Sequence, residues 1–118
     1  MLSKVNRLKK RYQFNYVYKN GTHFSSSALV LYVTPSRTKS IKVGFSVTKK
    51  VGKAVQRNAV RRRLREIVQK QLPNFKQNYN IILVAKDNIE NFSFENLSKQ
   101  FLDLAKKAEL LLEDEKNS

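Results

Sequence analysis

Hydrophobic residues change their spacing several times along the chain, and each change marks an element. Phe14, Val17 and Tyr18 recur at i, i+3 and i+4, so they share one face of a helix predicted over residues 7–19, with Asn20-Gly21 as its stop. Residues 28–34 are apolar almost without interruption, which predicts a strand covered on both faces. Beyond a turn opened by Pro35, residues 41–48 alternate: Ile41, Val43, Phe45 and Val47 fall on one side, Lys42, Gly44, Ser46 and Thr48 on the other. Residues 22–26 suit a short edge strand. A second helix is expected over 54–72, with an apolar stripe of Val60, Leu64, Ile67 and Val68 and a stop at Pro73. Residues 79–85 read as another buried strand. Ser93 is a good N-cap for a third helix over 94–113, whose stripe would be Leu97, Phe101, Leu104, Ala105, Ala108 and Leu112. The order α-β-β-β-α-β-α predicts an α/β two-layer sandwich, helices covering a mixed four-stranded sheet, in one domain over 1–118.

Charge changes that picture from a fold into a function. The formal net charge is +15, which favours polyanionic partners. Residues 1–65 hold 17 Lys and Arg and no acid, whereas residues 66–118 hold 7 basic and 9 acidic residues, beginning at Glu66. A surface meant only for solubility would mix the signs; here one half of the chain is suited to face negative charge. Absence of cysteine excludes disulfides and thiolate metal sites and fits a reducing, cytoplasmic setting. With no long apolar run, neither an export signal nor a membrane span is expected.

The strongest local signal runs from Lys49 to Arg65, with eight cations in 17 residues. Asn58, Arg61, Arg62 and Arg65 fall at i, i+3, i+4 and i+7 and would form one polar helix face, with Arg57 beside it. Like charges at that spacing repel and want a counter-charge, which phosphate supplies because its oxygens match the guanidinium fork. Gly52 precedes the helix start, and Lys49, Lys50 and Lys53 surround a helix N-terminus that could receive a phosphate. A nucleotide-binding P-loop is rejected, since Val47 and Ala54 stand where it needs Gly and Ser or Thr. A second candidate is a groove. Val30 and Tyr32 could share a sheet face with Lys42, Ser46 and Thr48, flanked by Phe14 and Tyr18, a mixture that suits stacked bases of a single strand. Periodicity alone reads Phe14, Val17 and Tyr18 as core; Phe45 is assigned to core and His23 to the surface or a loop.

A catalytic or metal-holding set of the chain's own is not expected. All nine acids lie at or beyond Glu66, scattered, and His23 is the only histidine. Three other readings share the charge: a ribosome-type or RNA-chaperone protein, which would not need the groove; a duplex-DNA reader using helix 54–72; and an independent nuclease.

The stretch Val43 to Glu66, with Arg57-Asn58, the basic pairs and Arg65-Glu66 at its heart, resembles the signature of the protein subunit of bacterial ribonuclease P. Asn6-Arg7-Leu8-Lys9-Lys10, the set Phe14, Val17, Tyr18 and Gly21, and the strand Leu29-Val30-Leu31-Tyr32 are similar to that family too. The resemblance implies an RNA-catalysed, Mg²⁺-dependent removal of the 5′ leader from precursor tRNA, with no catalytic or metal-binding residue in the protein and no protein partner required. It implies that Lys49, Lys50, Lys53, Arg57, Asn58, Arg61, Arg62 and Arg65 meet the catalytic RNA. It assigns Phe14, Tyr18, Val30, Tyr32, Lys42, Ser46 and Thr48 to a leader cleft, against the core reading from periodicity. Tyr18 and Arg61 depart mildly from the family's common Phe and Lys. The resemblance also implies a left-handed βαβ crossover through helix 54–72, where general rules favour the right hand.

Overall fold

The structure is a computed structural model and describes residues 7–37 and 39–112. Its helices are α1 (Arg11–Asn20), α2 (Ala54–Gln71) and α3 (Phe94–Lys107); its strands are β1 (Thr22–Ser25), β2 (Leu29–Pro35), β3 (Lys42–Ser46) and β4 (Tyr79–Ala85). The strands form one mixed sheet in the order β1-β2-β4-β3. β1 and β4 flank β2 antiparallel, while β3 runs parallel to β4 and is joined to it through α2.

The uninterrupted apolar strands are explained by two covered faces. On one, Leu29, Leu31, Val33, Val43, Ile81 and Leu83 meet Val60, Leu64, Ile67 and Val68 of α2 and Leu97, Phe101 and Leu104 of α3, all buried. Phe101 stacks on Phe75 at 5.7 Å, both fully buried. Each such side chain stabilises the fold by roughly 1.5–3 kcal/mol relative to exposure. On the other face α1 lies alone, and Leu8, Val17 and Ile82 form a smaller buried cluster beneath it.

Helix α1 starts four residues later than its predicted bound. Leu8 N–H donates to Val43 O at 3.0 Å and Arg7 bridges Val43 in parallel, so residues 7–10 extend along the edge of β3. Burying Leu8 and completing an edge hydrogen bond outweigh one more helical turn. Gln13 Oε1 then accepts the backbone N–H groups of Lys9 and Lys10, both at 2.9 Å. Gln56 Oε1 does the same for Lys53 N–H at 2.7 Å, at the start of α2. A glutamate usually performs this reach-back; the neutral amide does it without adding a negative charge beside the basic run.

Helix α3 ends at Lys107, not at 113, a position outside the described residues. Leu110 N–H reaches Ala105 O and Glu109 N–H reaches Lys106 O, a Schellman stop with Glu109 at φ 58. The chain then turns back beside Phe75 and buries Leu110, while Ala108 is half-buried and Leu112 is exposed. Glycine ordinarily marks such a stop, and the left-handed conformation costs glutamate roughly 1–2 kcal/mol. A fully buried leucine offsets that cost.

Candidate nucleic-acid interface

Register fixes what the second sheet face offers. Across the four strands, His23, Tyr32, Ile82 and Gly44 form one row, and Ser25, Val30, Val84 and Ser46 form the next. A third row joins Thr34, Asn80 and Lys42. Helix α1 covers the first row. Phe14 sits on Gly44, where an added Cβ would come within 2.6 Å of its ring, and Tyr18 meets Tyr32 edge to face at 4.9 Å. His23 lies on the other side of Tyr32, 5.4 Å away and tilted by 34°. The second row stays open, with Val30, Val84 and Ser46 half-buried and Ser25 exposed.

A shallow cleft results, with an aromatic wall of Phe14, Tyr18, Tyr32 and His23 above a floor of Val30 and Val84. Ser46 lies at the β3 end of that floor. Of the expected cleft residues, the structure brings together Phe14, Tyr18, Val30, Tyr32 and Ser46, with Lys42 on the neighbouring row. Thr48 does not share the strand face: β3 ends at Ser46, and Thr48 is exposed where the chain enters a 3₁₀ turn over Lys49–Val51. Val17, grouped with Phe14 and Tyr18 by spacing, is fully buried, so core and cleft divide the same helix face. Val84 and Asn80 were missed, because an apolar run does not say which of its residues an incomplete helical cover leaves open. Asn80 Oδ1 is buried without a hydrogen-bond partner beside Lys42 in register.

Replacing Gly44 by alanine is expected to force Phe14 off its seat. Overpacking of this kind costs about 1 kcal/mol or more. Denaturant unfolding should show that loss, and unchanged stability would contradict the packing described.

Helix α2 carries the cations. Lys49, Lys50 and Lys53 are exposed around its N-terminus. Gly52 holds φ 154, a conformation that favours glycine, and a Cβ there would run into the Gln56 amide. No side chain caps the helix, so its first N–H groups remain as donors, apart from the Lys53 N–H already held by Gln56. Asn58 and Arg62 are exposed, whereas Arg57, Arg61 and Arg65 are half-buried. Arg61 donates to Asn58 Oδ1 at 3.0 Å and to Val47 O at 3.5 Å. Arg57 Nε is buried and unbonded. Among the described residues, none of Arg57, Arg61, Arg62 and Arg65 forms an ion pair with a carboxylate. The spacing sets the arginine face opposite, or nearly opposite, the stripe of Val60, Leu64 and Ile67, and exposed Asn58 and Arg62 agree with that. Arg61 and Arg65 lean over β3 and, with Arg7, Leu8, Phe14, Val43, Gly44 and Phe45, line a cavity of about 140 Å³. Phe45, assigned to core, packs on it only partly and faces this cavity too. Aromatic cleft and arginine face thus adjoin at the β3 edge.

Fold, charge and cleft define a small, basic RNA-binding protein of the α/β class. The ribonuclease P family model matches residues 2–109. The ribonuclease P protein component of Natranaerobius thermophilus is 38% identical over 110 residues, covering 93% of this chain and 96% of that protein. That of Caldanaerobacter subterraneus is 35% identical over 116 residues, covering 98% and 100%. Among solved structures, the RNase P protein of Staphylococcus aureus superposes with a TM-score of 0.85 at 25% identity, over 92% of this chain and all (100%) of the other. The chain belongs to the ribonuclease P protein family and is the protein component of that ribonucleoprotein endoribonuclease. With membership come an RNA subunit as partner, RNA binding and the 5′ processing of precursor tRNA. No helix among the described residues is long and apolar enough to cross a membrane.

Proposed function

We propose that the two adjoining surfaces divide the work. Lys49, Lys50, Lys53, Arg57, Asn58, Arg61, Arg62 and Arg65 bind the catalytic RNA through its phosphates. Phe14, Tyr18, Val30, Tyr32, Lys42 and Ser46, joined by Val84 and His23, hold the single-stranded 5′ leader of precursor tRNA. Thr48 stands where the two surfaces meet. One observation carries the reading: the open row of Val30, Val84 and Ser46 lies beside an aromatic wall, and Phe14 of that wall, seated on Gly44, also lines the cavity of Arg61 and Arg65. A leader held there would lie against the RNA that the arginines grip. A ribosome-type protein would share the charge but gives no reason for an open apolar row.

In this reading the RNA hydrolyses the phosphodiester bond and Mg²⁺ supplies the Lewis acid. The described residues do not fit as the holder of that ion. Among the described residues no group of three His, Cys, Asp or Glu gathers that could hold a metal, and the surface beside the cleft is cationic. Its contribution would be binding and orientation, performed in the cytoplasm with no further protein required.

The test is cleavage of precursor tRNA by the catalytic RNA at low Mg²⁺, with and without the protein. Added protein should lower the Mg²⁺ needed for cleavage, because its cations reduce phosphate repulsion between the two RNAs. An unchanged Mg²⁺ requirement, or cleavage by the protein alone, would overturn the assignment.

A further inference from the structure

Helix α1 has a second face that neither the cleft nor the core uses. Three of the five exposed large hydrophobic residues among those described lie on this one helix: Tyr12 at 70%, Tyr16 at 57% and Tyr18 at 37% exposure. Tyr18 meets Tyr32 and belongs to the cleft. Tyr12 and Tyr16 point elsewhere. They stand one turn apart with Lys19 at the next i+3, a stripe turned away from the buried Val17. Nothing in the fold explains two open rings at consecutive turns, since aromatic side chains are stabilised mainly by burial or by a partner.

We propose that this outer face of α1 stacks unpaired bases of the catalytic RNA, forming a third RNA contact beside the arginine face and the cleft. The inference rests on the arginine-face reading, which it extends. Three features identify the occupant as RNA. The helix holds no acid, and exposed Lys9, Lys10, Arg11 and Lys19 flank the rings, which suits a phosphate chain passing the bases. An exposed ring offers a stacking platform to any base, and a base stack on an aromatic side chain is lost with its ring. The face also begins close to the arginines: the cavity lined by Arg61 and Arg65 includes Arg7, on the extended segment that leads into α1, and Phe14, in the first turn of α1. RNA leaving Arg65 over Arg7 would therefore reach Tyr12 and then Tyr16. A second copy of the chain is disfavoured, because two surfaces of a molecule with net charge +15 repel.

The test compares full-length wild type, a Tyr12→Ala/Tyr16→Ala variant and a Tyr12→Phe/Tyr16→Phe variant for affinity toward the catalytic RNA at fixed salt. Both positions are exposed, so all three should melt alike. The alanine variant should bind about tenfold more weakly, and the phenylalanine variant, which keeps both rings, about as tightly as wild type. The gain in precursor affinity with leader length should be the same in all three. Unchanged affinity of the alanine variant for the catalytic RNA would overturn the proposal. So would a loss confined to leader-length dependence, which would assign the face to the leader, or a change confined to self-association in sedimentation. An Arg62→Ala/Arg65→Ala variant run alongside separates the two claims. Wild-type binding by that variant sinks the arginine-face reading, whereas wild-type binding by the tyrosine variant alone sinks only this one.

Discussion

Replacing Arg62 and Arg65 together by alanine is expected to weaken binding of the catalytic RNA about a hundredfold, measured as a dissociation constant at fixed salt. Each guanidinium without an internal carboxylate is free to make charge-assisted bonds to phosphate, worth roughly 1.5–3 kcal/mol apiece. Two of them, discounted for exposure, give about 2.7 kcal/mol, or two factors of ten. The stability of the free protein should move the other way or not at all. Alanine has the higher helix propensity, and removing two cations from a helix surface that also carries Arg61 relieves repulsion. A variant that binds worse while melting no lower than wild type would show that the arginines are held for a partner. Lost binding accompanied by early unfolding would point to a structural role.

Tyr32→Ala should act on the other surface. Its ring lies between Tyr18 and His23, so alanine opens the middle of the aromatic wall. Removal of a stacking ring costs roughly 1–3 kcal/mol per base, about tenfold or more in affinity. That loss should appear for precursor tRNA with a long leader and vanish as the leader is shortened. Assembly with the catalytic RNA should be unaffected. A Tyr32 variant with the same defect as the arginine variant would refute the division into two surfaces.

Much of this was legible in the order of residues because period and burial coincide there. Strand β4 spans Tyr79–Ala85 as its apolar run implied, and Val60, Leu64, Ile67 and Val68 are the buried residues of α2. Ser93 accepts from Asn96 N–H as an N-cap should. What escaped depends on contacts distant in sequence. Leu8 is extended because Val43 lies beside it, a pairing no local pattern encodes. Helix α3 stops at Lys107 because Leu110 is buried beside residues 74–76, with neither glycine nor proline to announce it. Spacing grouped Phe14, Val17 and Tyr18 as one face; only the docking of α1 on Gly44 and Tyr32 separates the buried valine from the aromatic wall. His23 was expected on the surface or in a loop. It is exposed, yet it stands in β1 and extends that wall because the hairpin register sets it opposite Tyr32. The arginines were evident from charge, but their lean over β3 follows from where the crossover sets α2 against the sheet.

The most direct measurement is the salt dependence of wild-type binding to the catalytic RNA. Cations left unpaired by the fold should exchange bound counterions for about six phosphates, so log K should fall against log salt with a slope of roughly −4 to −5. In the Arg62→Ala/Arg65→Ala variant that slope should be shallower by roughly one to two. A flat response in the wild type would mean that the arginines of α2 are not completed by phosphate.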